Sequence, residues 1–329
     1  MELTRPGLVA VHAHPDDETL ATGALLATWA HAGPVTVVTA TRGERGEVIP
    51  PALRHLEGDG PALAAHRTGE LADALAALGV ADHVFLDSLP LDPAARGAGV
   101  TGVAHVASHA SHGSHQSHVR RGRYEDSGMV WVGTARAGLA HVAAEAFVAA
   151  PLDEAAERLA GLLRARRPAV VVTYDPEGGY GHPDHVRTHA VTMRAVQLAR
   201  GDGWEPAVWW RRTGKAALAR GYQALQGEPV RSALGAMYGE LRLPDPTGPL
   251  PAVAVDDESV EILVDTMAVR DRVLAALRAH VTQVQAARLV EGEAELVGCY
   301  ALSDGLLQPL LATEGYIQVS GPAPGWPLP

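Results

Sequence analysis

Gly7 to His12 (GLVAVH) is a short apolar run rich in branched residues. A polar turn follows it, then a helical pattern from Glu18 through Trp29, then a second apolar run, Val35 to Ala40 (VTVVTA). This succession of periods predicts strand, helix, strand. The unit recurs: Leu63 to Leu78 reads as a helix stopped at Gly79, and Asp82 to Leu86 as a third strand. Farther on, Leu152 to Arg166 is helical, Ala169 to Tyr174 (AVVVTY) is a strand, and Pro183 opens another helix. Uninterrupted apolar strands alternating with helices require a parallel sheet covered on both faces. The expected fold class is therefore α/β, a Rossmann-like, doubly wound, mainly parallel sheet.

The rhythm breaks twice. From about Asp87 to Tyr124 the chain is dense in Gly, Ser, Pro and His, lacks sustained periodicity, and is longer than an ordinary connection. After about Gly201 the alternation fades into a Pro-rich stretch (LRLPDPTGPLP), a strand-like Ser259 to Asp265 and a helix near Met267 to Val284. The expected organisation is a catalytic core over residues 1–200, with an insert at about 87–124. A smaller C-terminal portion, 201–329, packs on that core and helps to shape a pocket.

Composition narrows the chemistry. The chain has 329 residues, ample for a sizeable core, and a single cysteine, Cys299, against sixteen histidines. No internal disulfide is possible, so a metal site must use His and carboxylates. A net charge of −11 argues against a nucleic-acid groove, and the short cluster Arg120, Arg121 and Arg123 reads as a solvated face. No run approaches the ~18 apolar residues of a membrane span, and MELTRPGLVAVHAH lacks the features of a signal peptide. A cytoplasmic protein with a small-molecule partner, and neither nucleic acid nor membrane, is expected; oligomeric state is not legible.

Directly after the first strand comes His14-Pro15-Asp16-Asp17-Glu18, and after the fourth comes Tyr180-Gly181-His182-Pro183-Asp184-His185. Ligands of doubly wound sheets bind outside the strand carboxyl ends, where the strand order reverses, so the two segments should meet. His14 with Asp17, and His182 with His185, stand at i and i+3, a spacing that turns both side chains to one side of a helical first turn. Pro183 suits a first helical position. A catalytic zinc site takes three His or carboxylate ligands and keeps one position open, and a nearby carboxylate can act as base. The doublet Asp16-Asp17 can supply one of each, although an HPDD alone could equally be a turn with an Asp helix cap.

AHPDDE after one strand and GHPDH after a later one resemble the PIG-L/LmbE-type metal-dependent de-N-acetylases, which remove acetyl groups from N-acetylglucosamine conjugates. Within that family VHAHPDDE, GERGEVI, HRTGEL, DSGM, VVTYDPEGGYGHPDHVRTH and AHVTQV most resemble the branch acting on N-acetylglucosaminyl-inositol in mycothiol biosynthesis. The resemblance implies that His14, Asp17 and His185 hold zinc, with ferrous iron an alternative for such a ligand set. It implies Asp16 as the general base, which later protonates the leaving amine, and His182 as the positively charged partner of the oxyanion. Asp184 would tune and orient that histidine, and Tyr180 would help to polarise the acetyl carbonyl. Glu47, Arg67 and Asp126 would contact sugar and inositol hydroxyls, although each could instead be an ordinary loop charge, helix-surface charge or cap.

His12 and His189 are expected near the site or in the core rather than as ligands, and Cys299 as a buried small residue. His105, His109, His112, His115 and His118 lie in the insert, read as a lid-adjacent loop with adventitious metal affinity. Competing functions are a mycothiol S-conjugate amidase, a deacetylase of another N-acetylglucosaminyl conjugate and, from a different class, a non-catalytic His-rich metal-binding protein.

Overall fold

The computed structural model describes residues 6–91, 123–131, 137–138 and 143–324. The histidines of the insert fall outside the described residues. Ten strands of four residues or more are described: β1 (Leu8–His12), β2 (Val35–Thr39), β3 (Asp82–Phe85), β4 (Val170–Thr173), β5 (Ala207–Gly214), β6 (Ile262–Asp265), β7 (Gln285–Leu289), β8 (Leu296–Ala301), β9 (Leu307–Leu311) and β10 (Thr313–Ser320). The helices are α1 (Asp17–Ala30), α2 (Gly60–Leu78), α3 (Leu152–Arg166), α4 (Pro183–Ala199), α5 (Lys215–Ala224), α6 (Glu228–Leu234) and α7 (Arg270–Ala279).

The main sheet runs β3-β2-β1-β4-β5-β10-β6. Its first five strands are mutually parallel, and β10 and β6 close one edge antiparallel. The pleat explains why these strands are apolar at every position. On β1, Leu8 and Ala10 enter the core beneath α1, α2 and α7, while Val9 and Val11 enter the core beneath α3 and α4. On β4, Val170 and Val172 face the first core and Val171 the second. Fully burying one such Val or Leu is worth about 1.5–3 kcal/mol, so a one-residue slip in register would be costly on both faces.

The chain beyond residue 200 divides in two. β5, β6 and β10 complete the main sheet, whereas α5, α6 and the antiparallel β7-β8-β9 sheet enclose a separate buried cluster that includes Cys299. The regular alternation does not fade at Gly201: β5 pairs in parallel with β4, and its Trp209 is buried to 1% exposure. The last long helix is also shorter than its pattern predicts. α7 ends at Ala279 because His280 leaves helical geometry (φ −80°, ψ 59°) and turns its ring into the protein. Among the described residues no helix is long and apolar enough to cross a membrane.

Candidate active site

The strand order reverses between β1 and β4, and the segments that follow these two neighbours, 13–18 and 174–185, meet at the strand carboxyl ends. His14, Asp17, Asp126, His182, Asp184 and His185 are all buried there.

The Asp17 carboxylate is the hub. Its Oδ2 accepts the His14 backbone N–H at 2.9 Å and stands 3.3 Å from His14 Nδ1, while its Oδ1 stands 3.3 Å from His185 Nε2. Burial would raise the Asp17 carboxyl, but the facing His185 and His14 hold it well below the usual range. His185 is gripped by Tyr174, whose ring stacks on it at 4.2 Å and whose hydroxyl accepts the Ala13 N–H at 2.9 Å. His185 Nε2 is buried without a hydrogen-bond partner, although a buried polar atom left unpaired is costly. Behind His14, Nε2 lies 3.1 Å from Asp184 Oδ2 and 3.8 Å from Asp126 Oδ1.

This donor set fits a metal ion. His14 Nδ1, the Asp17 carboxylate and His185 Nε2 converge, and the carboxylate behind His14 fixes its tautomer as outer partners of metal-ligating histidines do. Burial alone would lower His14, yet Asp126, Asp17 and Asp184 drive it well above its ordinary value. The same negative field favours a cation. Among the described residues the groups whose ligand atoms all lie within 4.8 Å of one another are His14 with His182 and His185, and His14 with Asp126 and Asp184; Asp17 joins neither, and meets His14 and His185 pairwise at 3.3 Å. His182 Nδ1 accepts the Asp184 N–H at 3.1 Å, which leaves its Nε2 available, and the Asp184 carboxylate accepts from Ser127 N–H, Ser127 Oγ and His14.

Asp16 precedes α1 with φ 119° and ψ −34°, a region that costs an L-residue about 1–3 kcal/mol. Its side chain caps nothing, so the capping alternative does not apply. Instead Oδ2 lies 3.2 Å from Arg67 Nη2. Burial lifts the Asp16 carboxyl to about 6, with the Asp17 charge adding to the rise and Arg67 opposing it. Arg67, 3% exposed, also donates to the carbonyls of Gly43 and Pro15, and Nε is its buried nitrogen without a hydrogen bond among the described residues. Gly43 is required in this contact, because its φ is +68° and a Cβ there would lie 1.9 Å from Arg67 Nη1.

Glu18 completes the clamp. Oε2 accepts the Asp16 N–H at 2.9 Å and Oε1 stands 2.7 Å from His280 Nε2, with Glu18 and His280 both 0% exposed. Burial opposes charge on each, but their attraction lowers Glu18 to about 2 and raises His280. Nearby, Glu70 accepts Thr282 N–H at 2.7 Å and Thr282 Oγ at 2.6 Å.

The structure adds to the expectations for the HPDH segment. Asp184, 0% exposed, bonds His14 through its carboxylate, while its N–H holds His182 Nδ1 and its charge acts to raise His182. His182 is the cap of α4, and burial with the neighbouring His14 and His185 lowers it to about 2, so it is neutral in the cation-free protein, with its proton on Nε2. Tyr180, from a loop in which Gly178, Gly179 and Gly181 all have positive φ, lies edge-on 5.1 Å from the His185 ring and 6.1 Å from that of His182.

Of the three hydroxyl-contact candidates, Arg67 lies beneath Asp16, and Asp126 lies beside His14 with Oδ1 accepting the Gly128 N–H at 2.8 Å. Glu47 is exposed and stands apart, lining a cavity of about 780 Å³ with Val48, Ile49, Arg54, Gln285 and Ser303; the metal-site residues do not line this cavity. His12 bonds Thr22 Oγ1 at 3.0 Å and His189 bonds the Tyr174 carbonyl at 2.9 Å. Sequence reasoning missed Tyr174, Ser127, Glu18 and His280. The visible signals were Ser127 beside Asp126 in DSGM and a histidine at the end of an amphipathic helix in LRAHVTQV.

Residues 9–196 match the PIG-L family, described as GlcNAc-PI de-N-acetylase, and the chain belongs to that family. It is 44% identical to the 1D-myo-inositol 2-acetamido-2-deoxy-alpha-D-glucopyranoside deacetylase of Kineococcus radiotolerans, over 97% of this chain and 78% of the relative. Proteins of the same name from Streptomyces avermitilis (95% and 92% covered) and Actinosynnema mirum (99% and 96%) are each 40% identical to it.

Proposed function

We propose that this chain hydrolyses the acetamide of N-acetylglucosaminyl-inositol, the substrate named for its relatives, releasing acetate and the free amine of glucosaminyl-inositol for mycothiol biosynthesis. The observation that carries the reading is Asp16, a buried carboxylate lifted to about 6 beside the converging His14, Asp17 and His185.

His14 through Nδ1, Asp17 and His185 through Nε2 would hold zinc; ferrous iron suits the same donors. Bound there, the ion supplies Lewis acidity that acidifies the attacking water and polarises the acetyl carbonyl. Asp16 takes the water proton and returns it to the departing amine nitrogen, a task suited to a carboxyl lifted toward neutrality. The neutral His182 donates its Nε2–H, and Tyr180 its hydroxyl, toward the oxygen where negative charge develops. Asp184 and Ser127 keep His14 in the ligating tautomer. Asp126 would offer the sugar hydroxyls an acceptor, Arg67 its guanidinium beside Asp16, and Glu47 an exposed carboxylate on the 780 Å³ cavity.

The test is to incubate metal-replete protein with N-acetylglucosaminyl-inositol and an amine-reactive fluorophore. Amine release is expected. Its absence, under conditions where the Kineococcus radiotolerans relative works, would overturn the proposal.

A further inference from the structure

We propose that His280 is a positioning residue for Asp16, acting through Glu18 across 262 residues of sequence. The proposal rests on Asp16 serving as the base.

The need for such a residue lies in the backbone of Asp16. A φ of 119° is glycine territory, and an aspartate stays there only if its surroundings over-determine it. Arg67 holds the preceding carbonyl and one carboxylate oxygen. The Asp16 carbonyl accepts the Thr19 N–H at 3.0 Å and the Leu20 N–H at 2.9 Å. The Asp16 N–H is held only by Glu18 Oε2.

What aims Glu18 is then decisive. It lies in the first turn of α1, where a carboxylate would ordinarily find solvent or the free N–H groups of the helix end. Here it is fully buried, and its Oε1 takes the Thr19 hydroxyl and the His280 ring. A buried carboxylate needs donors for its oxygens, and His280 Nε2 supplies one from the end of α7. Without that ring the carboxylate would rotate to find other donors and release the Asp16 N–H. Asp16 could then relax toward ordinary dihedrals and swing its carboxylate off the line of attack. The main sheet is already complete without this contact, and α7 is anchored by Val273, Leu274 and Leu277 in the apolar core.

The test pairs His280→Gln with His280→Asn. The glutamine amide nitrogen falls where Nε2 stood and keeps the donor toward Glu18; the asparagine amide is too short to reach. Each variant is loaded with zinc and assayed below its own melting temperature, with bound metal measured beside kcat and KM. Expected are a fall in kcat of about 100-fold for the asparagine variant at unchanged KM and metal content, and recovery to within about fivefold for the glutamine variant, since misplacing a catalytic group by ~1 Å has effects of that size. Equal losses in both variants, or a loss that follows metal content or folded fraction, would overturn the proposal. If the asparagine variant does not fold, the glutamine variant decides alone: a loss above about tenfold at intact metal content would contradict a role carried by the Nε2 donor. Activity of the unaltered chain together with inactivity of Asp16→Asn would uphold the parent reading whatever His280 does.

Discussion

The two segments that build the site look alike in sequence, HPDD and HPDH, and are held by opposite means. The second takes its backbone from local structure, since Pro183 opens α4, His182 caps it and Tyr174 stacks on His185, and of its side chains Asp184 is held from afar, by Ser127 and His14. The first is fixed from afar. Asp16 sits in a strained backbone and is clamped by Arg67, 51 residues on, and by the pair of Glu18 with His280, 262 residues apart. A local cap can present metal donors, because donors need direction and little else. A base next to a metal needs its charge, its geometry and its separation from the adjacent ligand all set, and no single turn of helix can set them.

The largest break in this comparison comes from the local side. His185→Ala removes the donor whose Nε2 is otherwise unpaired, and activity is expected to fall to background together with bound metal, read by elemental analysis. In the unaltered chain, chelation should abolish turnover and zinc should restore it. Ser127→Ala removes the hydroxyl donor to Asp184 and leaves the backbone N–H bond in place; a loss of about 10–100-fold in metal affinity or activity is expected, as for other outer partners of ligating histidines. It would be read by competition with a colorimetric chelator.

The distant side is sharpened by pH. Asp16 must be ionised to act, so kcat/KM should drop about tenfold per pH unit below an acid limb. Its folded-state value of about 6 in the cation-free protein sets the ceiling of that limb, because a bound cation can only lower it. The Glu18–His280 pair has its own window. Glu18 is depressed from 4.5 to about 2, so its contribution is present above 4.5 and lost as pH falls toward 2; His280 is raised from 6.5, so its contribution is present below 6.5 and lost as pH rises through its folded value. The melting-temperature deficit of His280→Asn should therefore be greatest between about pH 4.5 and 6.5 and shrink in alkali. A smaller effect is expected of Gly178→Ala. At φ +66° its Cβ would lie 2.7 Å from Val186 N and 2.9 Å from His185 Cβ, so calorimetry should show a loss of about 1–2 kcal/mol.

The same contrast explains what the sequence disclosed. β1, β2 and β4 are legible because a strand buried on both faces leaves an uninterrupted apolar run, and the HPDH geometry is legible because caps and first turns obey local rules. β5 was obscured by the arginines in AVWWRRTG, which stay half-buried at its far end. The bond of the Asp184 carboxylate to His14 spans a 170-residue separation that its i+2 spacing from His182 hides. His280 was equally hidden, since nothing about a histidine at a helix end says which buried carboxylate it meets.

The division between base and ligand within one doublet is the central claim, and it is tested by Asp16→Asn and Asp17→Asn measured side by side for bound zinc and turnover. The account predicts that Asp16→Asn keeps its zinc and loses about 10²–10⁴-fold in kcat, while Asp17→Asn loses the zinc itself. Retained metal in Asp17→Asn, or metal loss in Asp16→Asn, would contradict it.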